Sequence, residues 1–308
     1  MGGKKDFLSI KQLSFEEFHQ LLGLTAEVKR EPERFQRALQ GKSLGLFFEK
    51  PSTRTRVSFE VGIYQLGGAG LYFSPEQLQL GRGETIADTA RVLSRYLDAL
   101  MGRTFSHQTL VELAHHGTIP VINGLSDRFH PCQGMADYFT IQEELGRLPG
   151  VRVCYLGDGN NVCHSLILGG AKAGVDLRVV TPKECAPDPQ VVNSALEQSS
   201  ISGGKVTVTN RIEEGVKGAE VIYTDVWVSM GEDEQRARKL ALLKPYQVNK
   251  KVMALAEPGA IFMHCLPAHR GEEVTSEVID SEQSVVWNQA ENRLHFQKAL
   301  LIFLLKGG

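Results

Sequence analysis

The sequence lacks an excess of charge of either sign. Its 34 lysine and arginine residues stand against 36 aspartate and glutamate residues, so the formal net charge is −2. It also lacks a long basic run. The charge balance therefore gives no reason to expect nucleic acid or an acidic membrane surface as a partner. An anion that binds to this chain must be held by a local site.

Cysteine is scarce, and long apolar runs are missing. The five cysteines form an odd set with no C-x-x-C pair, which argues against a disulfide framework and a zinc ribbon and favours a reducing compartment. The longest apolar run, 299–305, is far shorter than the ~20 residues of a membrane span. Charge interrupts the N-terminal apolar residues, unlike a signal peptide. We expect a soluble, cytoplasmic protein.

Short apolar runs alternate with helical patterns in both halves of the 308-residue chain, which is typical of parallel βαβ units. This pattern predicts an α/β fold of two doubly wound parallel-sheet domains joined by interdomain helices. We expect a first domain at 1–145, a second at 146–289, and a C-terminal helix at 290–308 that packs back on the first. The expected strands lie at 43–48, 98–102, 119–123, 175–180, 205–209, 219–227 and 260–267, and the segment 151–159 is expected to be a strand that runs into a glycine turn.

An anion site is expected where the strand 43–48 runs into a helix, in the segment 49-EKPSTRTRVSFE-60. Free N–H groups of a first helical turn, hydroxyl groups and a guanidinium together suit a phosphate. Arg54 and Arg56 are two positions apart on a helix, so both cannot face one ligand. An ordinary Ser/Thr helix cap with surface arginines would explain the segment equally well.

Two further groups of side chains follow the predicted strands of the first half. Arg103 comes directly after the strand 98–102 and so lies at the same sheet edge as the expected phosphate turn. In 129-FHPCQG-134, His130 precedes a helix-starting proline and Gln133 lies one turn later on the same side. The pair can hold a carbonyl or an amide, although a histidine at a helix start can also be a capping or core residue.

The second half offers weaker signals. The turn 157-GDGNN-161 lacks the third glycine of a dinucleotide motif, so we do not predict NAD binding. Its asparagines can cap a helix or hold a substrate carboxylate. Asp225, in 225-DVWVSMGE-232, can hold an ammonium group or cap the next helix.

The segment 262-FMHCLPAHR-270 ends a predicted buried strand with His264 and Cys265. Adjacent strand residues point to opposite faces, so we do not expect these two side chains to share a metal ion. Cys265 is either a nucleophile or a small packing residue.

Taken in order, 52-STRTR-56, 130-HPCQ-133, 225-DVWVSMG-231 and 264-HCLP-267 resemble the aspartate/ornithine carbamoyltransferase family. The first two motifs are shared by both branches of that family, and the last two are marks of the ornithine branch. The resemblance runs from about residue 6 to the C-terminus.

The resemblance implies transfer of the carbamoyl group from carbamoyl phosphate to the δ-amine of L-ornithine, giving L-citrulline and phosphate in arginine biosynthesis. It implies no metal or organic cofactor, and a homotrimer or a multiple of trimers in which Gln79 reaches a neighbouring subunit. The residues implied for carbamoyl phosphate are Ser52, Thr53, Arg54, Thr55, Gln79, Arg103, His130, Gln133, Cys265, Leu266 and Arg293. Those implied for ornithine are Asn161, Asp225, Ser229 and Met230. The implied catalytic residues are Arg103, His130, Asp225 and Cys265.

Two alternatives stay open. Another amine, such as acetylornithine or putrescine, would keep the same reaction class, whereas aspartate would need extra cationic residues where 225-DVWVSMGE-232 has acids. A non-catalytic phosphate-binding relative would be expected to lose Arg54, Arg103, His130 or Asp225, and all four are present.

Overall fold

A computed structural model describes residues 4–76, 83–228 and 236–306. Its contacts divide the chain into two compact units. Unit 1 contains the chain up to Met135 together with the C-terminal residues from Asn292, and unit 2 is Ala136–Glu291. Each unit is built around one parallel sheet.

Unit 1 has a four-stranded parallel sheet in the order β2-β1-β3-β4. Its elements in chain order are α1 (Phe15–Arg30), β1 (Ser43–Phe48), α2 (Thr53–Gln65), β2 (Ala69–Phe73), α3 (Ile86–Tyr96), β3 (Ala99–Arg103), α4 (His107–His116) and β4 (Val121–Leu125), with the beginning of α5 (Pro131–Leu145) and most of α12 (Val286–Lys306). Short 3₁₀ turns lie at Ile10–Gln12 and Pro32–Phe35.

Local chemistry sets where the unit 1 helices begin. The hydroxyl groups of Ser52, Thr85 and Ser106 each accept a backbone N–H of the following first turn, as good N-caps do. Buried leucines of β3, α3 and α4 pack with Phe47 of β1 in one apolar cluster. This packing fixes the sheet whose carboxyl edge carries the polar side chains described below.

Unit 2 has a five-stranded parallel sheet in the order β7-β6-β5-β8-β9. After the remainder of α5 come β5 (Arg152–Leu156), α6 (Asn161–Ala173), β6 (Asp176–Val180), α7 (Pro189–Ser202), β7 (Lys205–Thr209), α8 (Ile212–Val216), β8 (Val221–Thr224), α9 (Arg236–Leu243), α10 (Lys250–Met253), β9 (Ile261–His264), α11 (Ser276–Ile279) and the start of α12. Further 3₁₀ turns lie at Lys183–Cys185 and Lys244–Tyr246.

The central strands β5 and β8 of unit 2 are largely buried and mostly apolar, as is usual inside a parallel sheet, whereas the edge strand β7 has no buried residue. Helices α6 and α7 end at Gly174 and Gly203, whose positive φ angles of 71° and 75° are the left-handed conformation of a C-terminal glycine cap. In the described part of the chain, no helix combines the length and apolar character that crossing a bilayer requires.

The predicted fold class is confirmed, since both sheets are wholly parallel. Strand β2 and the helices α1, α10 and α11 were not expected from the sequence. Strand β2 begins Ala69-Gly70 directly after the Gly67-Gly68 pair and lies at the sheet edge with its first three residues exposed. It therefore has neither a buried apolar run nor an alternating pattern.

Candidate functional site

The carboxyl edge of the unit 1 sheet brings together the ends of β1 and β3. Phe48, the last residue of β1, pairs with Arg103, the last residue of β3, and the backbone N–H of Glu49 donates to the Arg103 carbonyl over 2.8 Å. Arg103 is buried. Arg103, which was expected just beyond β3, is the last residue of that strand and therefore lies at the same sheet edge as the first turn of α2.

The first turn of α2 is organised by two hydroxyl groups. Ser52 is the N-cap, and its Oγ accepts the backbone N–H of Thr55 over 3.3 Å. Thr55 is fully buried, and its Oγ1 accepts hydrogen bonds from Ser52 Oγ at 3.2 Å and from Arg293 Nη2 at 2.8 Å. Arg293 lies on α12, 238 positions away in the chain. A second buried arginine thus reaches the helix N-terminus, where an anion is favoured.

The two arginines of 52-STRTR-56 have different surroundings. The exposed Arg56 donates from Nε to Glu60 Oε1 over 3.0 Å, and its guanidinium lies 4.0 Å from the ring centre of Tyr72. The half-buried Arg54 instead acts electrostatically on His130. Of this pair, Arg54 lies among the charges that act on His130, and Arg56 takes part in a surface ion pair.

His130 and Gln133 lie at the start of α5, both buried. The backbone N–H of Gln133 donates to the His130 carbonyl over 3.1 Å, which fixes the first turn. Burial lowers the pKa of His130 well below its ordinary 6.5, and the positive charges of Arg293, Arg103 and Arg54 lower it further. The imidazole is therefore neutral at physiological pH and can offer an N–H to an oxygen.

Cys132, between His130 and Gln133, is fully buried in the core. Its thiol donates to the Asn123 carbonyl over 3.4 Å. Burial raises its pKa to about 12, an effect that the positive charge of Arg293 only partly offsets. Cys132 is therefore a packing residue and not a thiolate.

In unit 2, Asp225 follows β8, and its carboxylate is held on both oxygens. Asn160 Nδ2 donates to Asp225 Oδ2 over 2.8 Å, and Cys265 Sγ donates to Asp225 Oδ1 over 2.9 Å. Asn160, Asp225 and Cys265 lie close together because they follow β5, β8 and β9. These three strands are neighbours in the parallel sheet, so their carboxyl ends share one edge. Since the Cys265 thiol gives its hydrogen to a carboxylate, the geometry supports a polar contact rather than a nucleophilic thiolate.

His264 and Cys265 lie near Asp225 at the end of β9. Asp225, His264 and Cys265 each have a potential ligand atom within 4.8 Å of the others, because β9 ends at His264 and strand alternation no longer applies to Cys265. Both His264 nitrogens are nevertheless engaged. Nδ1 accepts the Leu266 N–H over 2.8 Å, and Nε2 lies 3.0 Å from Glu273 Oε1. This histidine holds the turn instead of offering a free ligand atom.

Leu266, whose carbonyl the resemblance implies at the reacting end, has a φ of +59° and is followed by a cis peptide bond to Pro267. A positive φ is uncommon for a residue with a branched side chain. The hydrogen bond to His264 Nδ1 helps to hold this backbone conformation.

Sequence reasoning missed a buried network that supports the same turn. Asp137 accepts from Gln289 Nε2 at 2.7 Å and from the Tyr223 hydroxyl at 3.0 Å, and Gln289 Oε1 accepts the His264 N–H at 2.9 Å. Burial, then the charge of Asp137, raises the Tyr223 pKa well above 10. The sequence did contain one indication of this network, because Asp137 lies among apolar residues of α5. A buried carboxylate at such a position needs hydrogen-bond donors around it.

The remaining predicted residues fall into two groups. Thr53 is the first residue of α2 and exposed, and Asn161 is the first residue of α6 and half-buried. Gln79, Ser229 and Met230 lie outside the described residues.

Comparison with known proteins gives a consistent set of matches. Residues 5–143 match the carbamoyl-phosphate-binding domain of aspartate/ornithine carbamoyltransferases, and residues 149–304 match the Asp/Orn-binding domain. The chain is 52% identical over 306 residues to the ornithine carbamoyltransferase of Thermococcus kodakarensis, covering 98% of this chain and 97% of that protein.

Solved structures agree with the sequence matches. The ornithine carbamoyltransferase of Pyrococcus furiosus superposes with a TM-score of 0.95 at 50% identity, covering 99% of this chain and 98% of that one. The anabolic enzyme of Campylobacter jejuni gives a TM-score of 0.93 at 39% identity, covering 99% and 100%.

Proposed function

The chain belongs to the aspartate/ornithine carbamoyltransferase family, and we propose on that premise how its residues act on carbamoyl phosphate and L-ornithine. The enzyme transfers the carbamoyl group to the δ-amine of L-ornithine and releases L-citrulline and phosphate, a step of arginine biosynthesis. The observation that carries the residue assignment is the convergence of Arg54, Arg103 and Arg293 on His130 within unit 1.

Carbamoyl phosphate binds at the N-terminus of α2. Its phosphate accepts the free N–H groups of the first turn and the hydroxyls of Ser52, Thr53 and Thr55, while Arg54 and Arg103 supply charge. Arg293 is supported in this role by its bond to Thr55, which holds its guanidinium at the same turn. Gln79 remains assigned here by resemblance alone.

The carbonyl oxygen of the carbamoyl group accepts from His130, and Gln133 contacts the carbamoyl amide. A neutral imidazole suits this role because it donates a hydrogen bond without adding a fourth positive charge among the arginines. As the amine attacks, negative charge grows on this oxygen, and His130, Arg103 and Thr55 stabilise it more in the transition state than in the ground state.

Ornithine binds on unit 2. Asn161 holds its α-carboxylate, and Asp225 holds its α-ammonium together with Ser229 and Met230. The orientation of Asp225 is supported by its two fixed hydrogen bonds. Cys265 and the Leu266 carbonyl border the reacting end, where Leu266 accepts a hydrogen bond from the amine.

The chemical step needs no covalent enzyme intermediate. The neutral δ-amine attacks the carbonyl carbon and a C–N bond forms. The C–O bond to phosphate then breaks, and the leaving phosphate takes the proton that the amine gives up. The protein's contribution is positioning and electrostatic stabilisation.

Self-association is supported by an apolar surface of unit 1. Val57 and Tyr64 of α2 and Leu71 of the edge strand β2 are 49%, 78% and 42% exposed. An apolar face beside an open sheet edge is typical of an interface, and the occupant implied by the resemblance is a second and third copy of this chain. Light scattering should give a trimer or a multiple of it, and Tyr64→Glu should shift the mass toward the monomer. A monomeric wild type would contradict the assignment.

The cytoplasm is the proposed location, supported by five cysteines that are all free and buried.

A panel of amines tests the substrate. Purified protein is mixed with carbamoyl phosphate and, separately, ornithine, acetylornithine, putrescine or aspartate, and the ureido product is measured. We expect product from ornithine with the highest kcat/KM. A higher kcat/KM with another amine would overturn the ornithine assignment while leaving the reaction class intact.

A further inference from the structure

Three side chains of the turn after β9 gather outside the substrate residues named above. His269, Glu272 and Glu273 each place one potential ligand atom within 4.8 Å of the other two. His269 Nδ1 lies 3.7 Å from Glu272 Oε2 and 3.9 Å from Glu273 Oε2. His269 is exposed and Glu272 is half-buried, so an ion can reach the group from solvent.

Glu273 differs from an ordinary surface acid because its side chain is 0% exposed. Its Oε1 receives two hydrogen bonds, from His264 Nε2 at 3.0 Å and from the His269 backbone N–H at 2.5 Å. Its Oε2 is equally buried, yet no described residue donates a hydrogen bond to it. A buried carboxylate oxygen without a donor is costly unless a cation compensates it. This oxygen faces the imidazole of His269.

The Glu272 carboxylate is already held in place by a hydrogen bond. Arg236 donates to Glu272 Oε1 over 2.6 Å, which fixes that carboxylate and leaves its second oxygen toward His269. Gln247 Nε2 donates to the carbonyls of Gly271 and Glu272 over 2.8 Å each, so the backbone of the turn is also fixed. A preformed turn lowers the ordering cost of binding.

We propose that His269, Glu272 and Glu273 bind a divalent transition-metal ion of the zinc type. One imidazole and two carboxylates are a common ligand set for Zn²⁺, with water completing a tetrahedron. Nitrogen and oxygen ligands about 2.0–2.2 Å from such an ion lie roughly 3.3–3.6 Å apart. The distances from His269 Nδ1 are 3.7 and 3.9 Å and the three ligand atoms all lie within 4.8 Å of one another, so ion binding requires a contraction of about 1.5 Å at most. The imidazole ligand disfavours Mg²⁺ and Ca²⁺, which prefer oxygen.

Equilibrium dialysis of the full chain with Zn²⁺ tests the site, with Mg²⁺ as the ion control. Cys265→Ser is the background for every sample, because it removes the thiol from the second group of potential ligand atoms, formed by Asp225, His264 and Cys265. On that background we compare His269→Ala and Glu272→Gln, both at solvent-accessible positions, with Glu277→Gln, an exposed carboxylate elsewhere in unit 2. Co²⁺ absorption then reports the ligand type.

We expect Zn²⁺ to bind the Cys265→Ser background and to raise its melting temperature, since an ion that binds only the folded state stabilises it. His269→Ala and Glu272→Gln should each weaken binding by about tenfold or more, because loss of even an outer-shell partner costs a metal site on the order of 10–100-fold. Glu277→Gln should bind as the background does. Bound Co²⁺ should show d–d bands without a thiolate charge-transfer band. Unchanged zinc affinity in His269→Ala, or no zinc binding in the Cys265→Ser background, would overturn the proposal.

Discussion

Asn160 links a helix cap to Asp225, the acid proposed to hold the α-ammonium of ornithine. Its Nδ2 donates to Asp225 Oδ2 over 2.8 Å, while its Oδ1 accepts the backbone N–H groups of Val162 and Cys163 at the start of α6. One side chain thereby fixes the carboxylate of Asp225 relative to Asn161, the next residue on the helix. The proposed ornithine contacts of Asp225 and of Asn161 both depend on this placement.

Asn160→Ser should separate the two roles of Asn160, because serine keeps the cap and loses the amide donor. We expect kcat/KM for ornithine to fall by about tenfold or more, since a hydrogen bond to a charged group contributes about 1.5–3 kcal/mol. The KM for carbamoyl phosphate should stay near the wild-type value. Steady-state kinetics with each substrate varied checks this, and an unchanged KM and kcat for ornithine would rule out the positioning role.

The two arginines of α2 offer a matched pair of variants. Arg54→Gln should lower kcat/KM for carbamoyl phosphate by a factor on the order of 100 or more, because a charged contact to phosphate is lost. Arg56→Gln removes an exposed ion pair with Glu60 and should change turnover by only a few-fold, since such pairs contribute about 0–1 kcal/mol. Equal losses in the two variants would show that the phosphate contact is assigned to the wrong arginine.

His130 is expected to make the folded state less stable as the pH falls. Its folded-state pKa is lowered by burial and by three arginines, so the unfolded chain binds the proton more tightly. The contribution of the neutral His130 to the free energy of unfolding is fully present above the unfolded-state pKa of about 6.5. It is lost as the pH falls from there toward the folded-state pKa.

Urea unfolding of the wild type and His130→Gln, at several pH values from 7.5 down to 5.5, measures this effect. We expect the variant's unfolding midpoint to fall less than the wild-type midpoint over the range, because glutamine cannot take up the proton. A parallel decline of both proteins would show that His130 is not the titrating group.

Parts of this molecule follow from local sequence patterns. The strand 43–48 was predicted at its observed bounds, and the helix predicted to start at Pro131 does so. Ser52 caps α2, which was one of the two explanations that the sequence left open for its segment. Strand β2 was missed because an exposed edge strand of Ala-Gly-Leu-Tyr-Phe has no buried face to give it a period.

The support of the site could not be predicted in the same way. The contacts of Arg293 with Thr55 and of Gln289 with Asp137 join residues 238 and 152 positions apart, and no spacing rule reaches that far. The strand alternation rule failed at His264 and Cys265 because the strand ends between them. At that boundary His264 is bound by the buried Glu273 and Gln289, which lie 9 and 25 positions further along the chain.

The central claim is carbamoyl transfer to ornithine, and ¹³C NMR with carbonyl-labelled carbamoyl phosphate tests it most directly. With the wild type and with Arg56→Gln, we predict that the label appears in the ureido carbon of citrulline as free phosphate accumulates in equal amount. With Arg54→Gln, both signals should grow much more slowly. Label that stays in carbamoyl phosphate, or that reaches only its hydrolysis products, while wild-type enzyme and ornithine are both present would contradict the account.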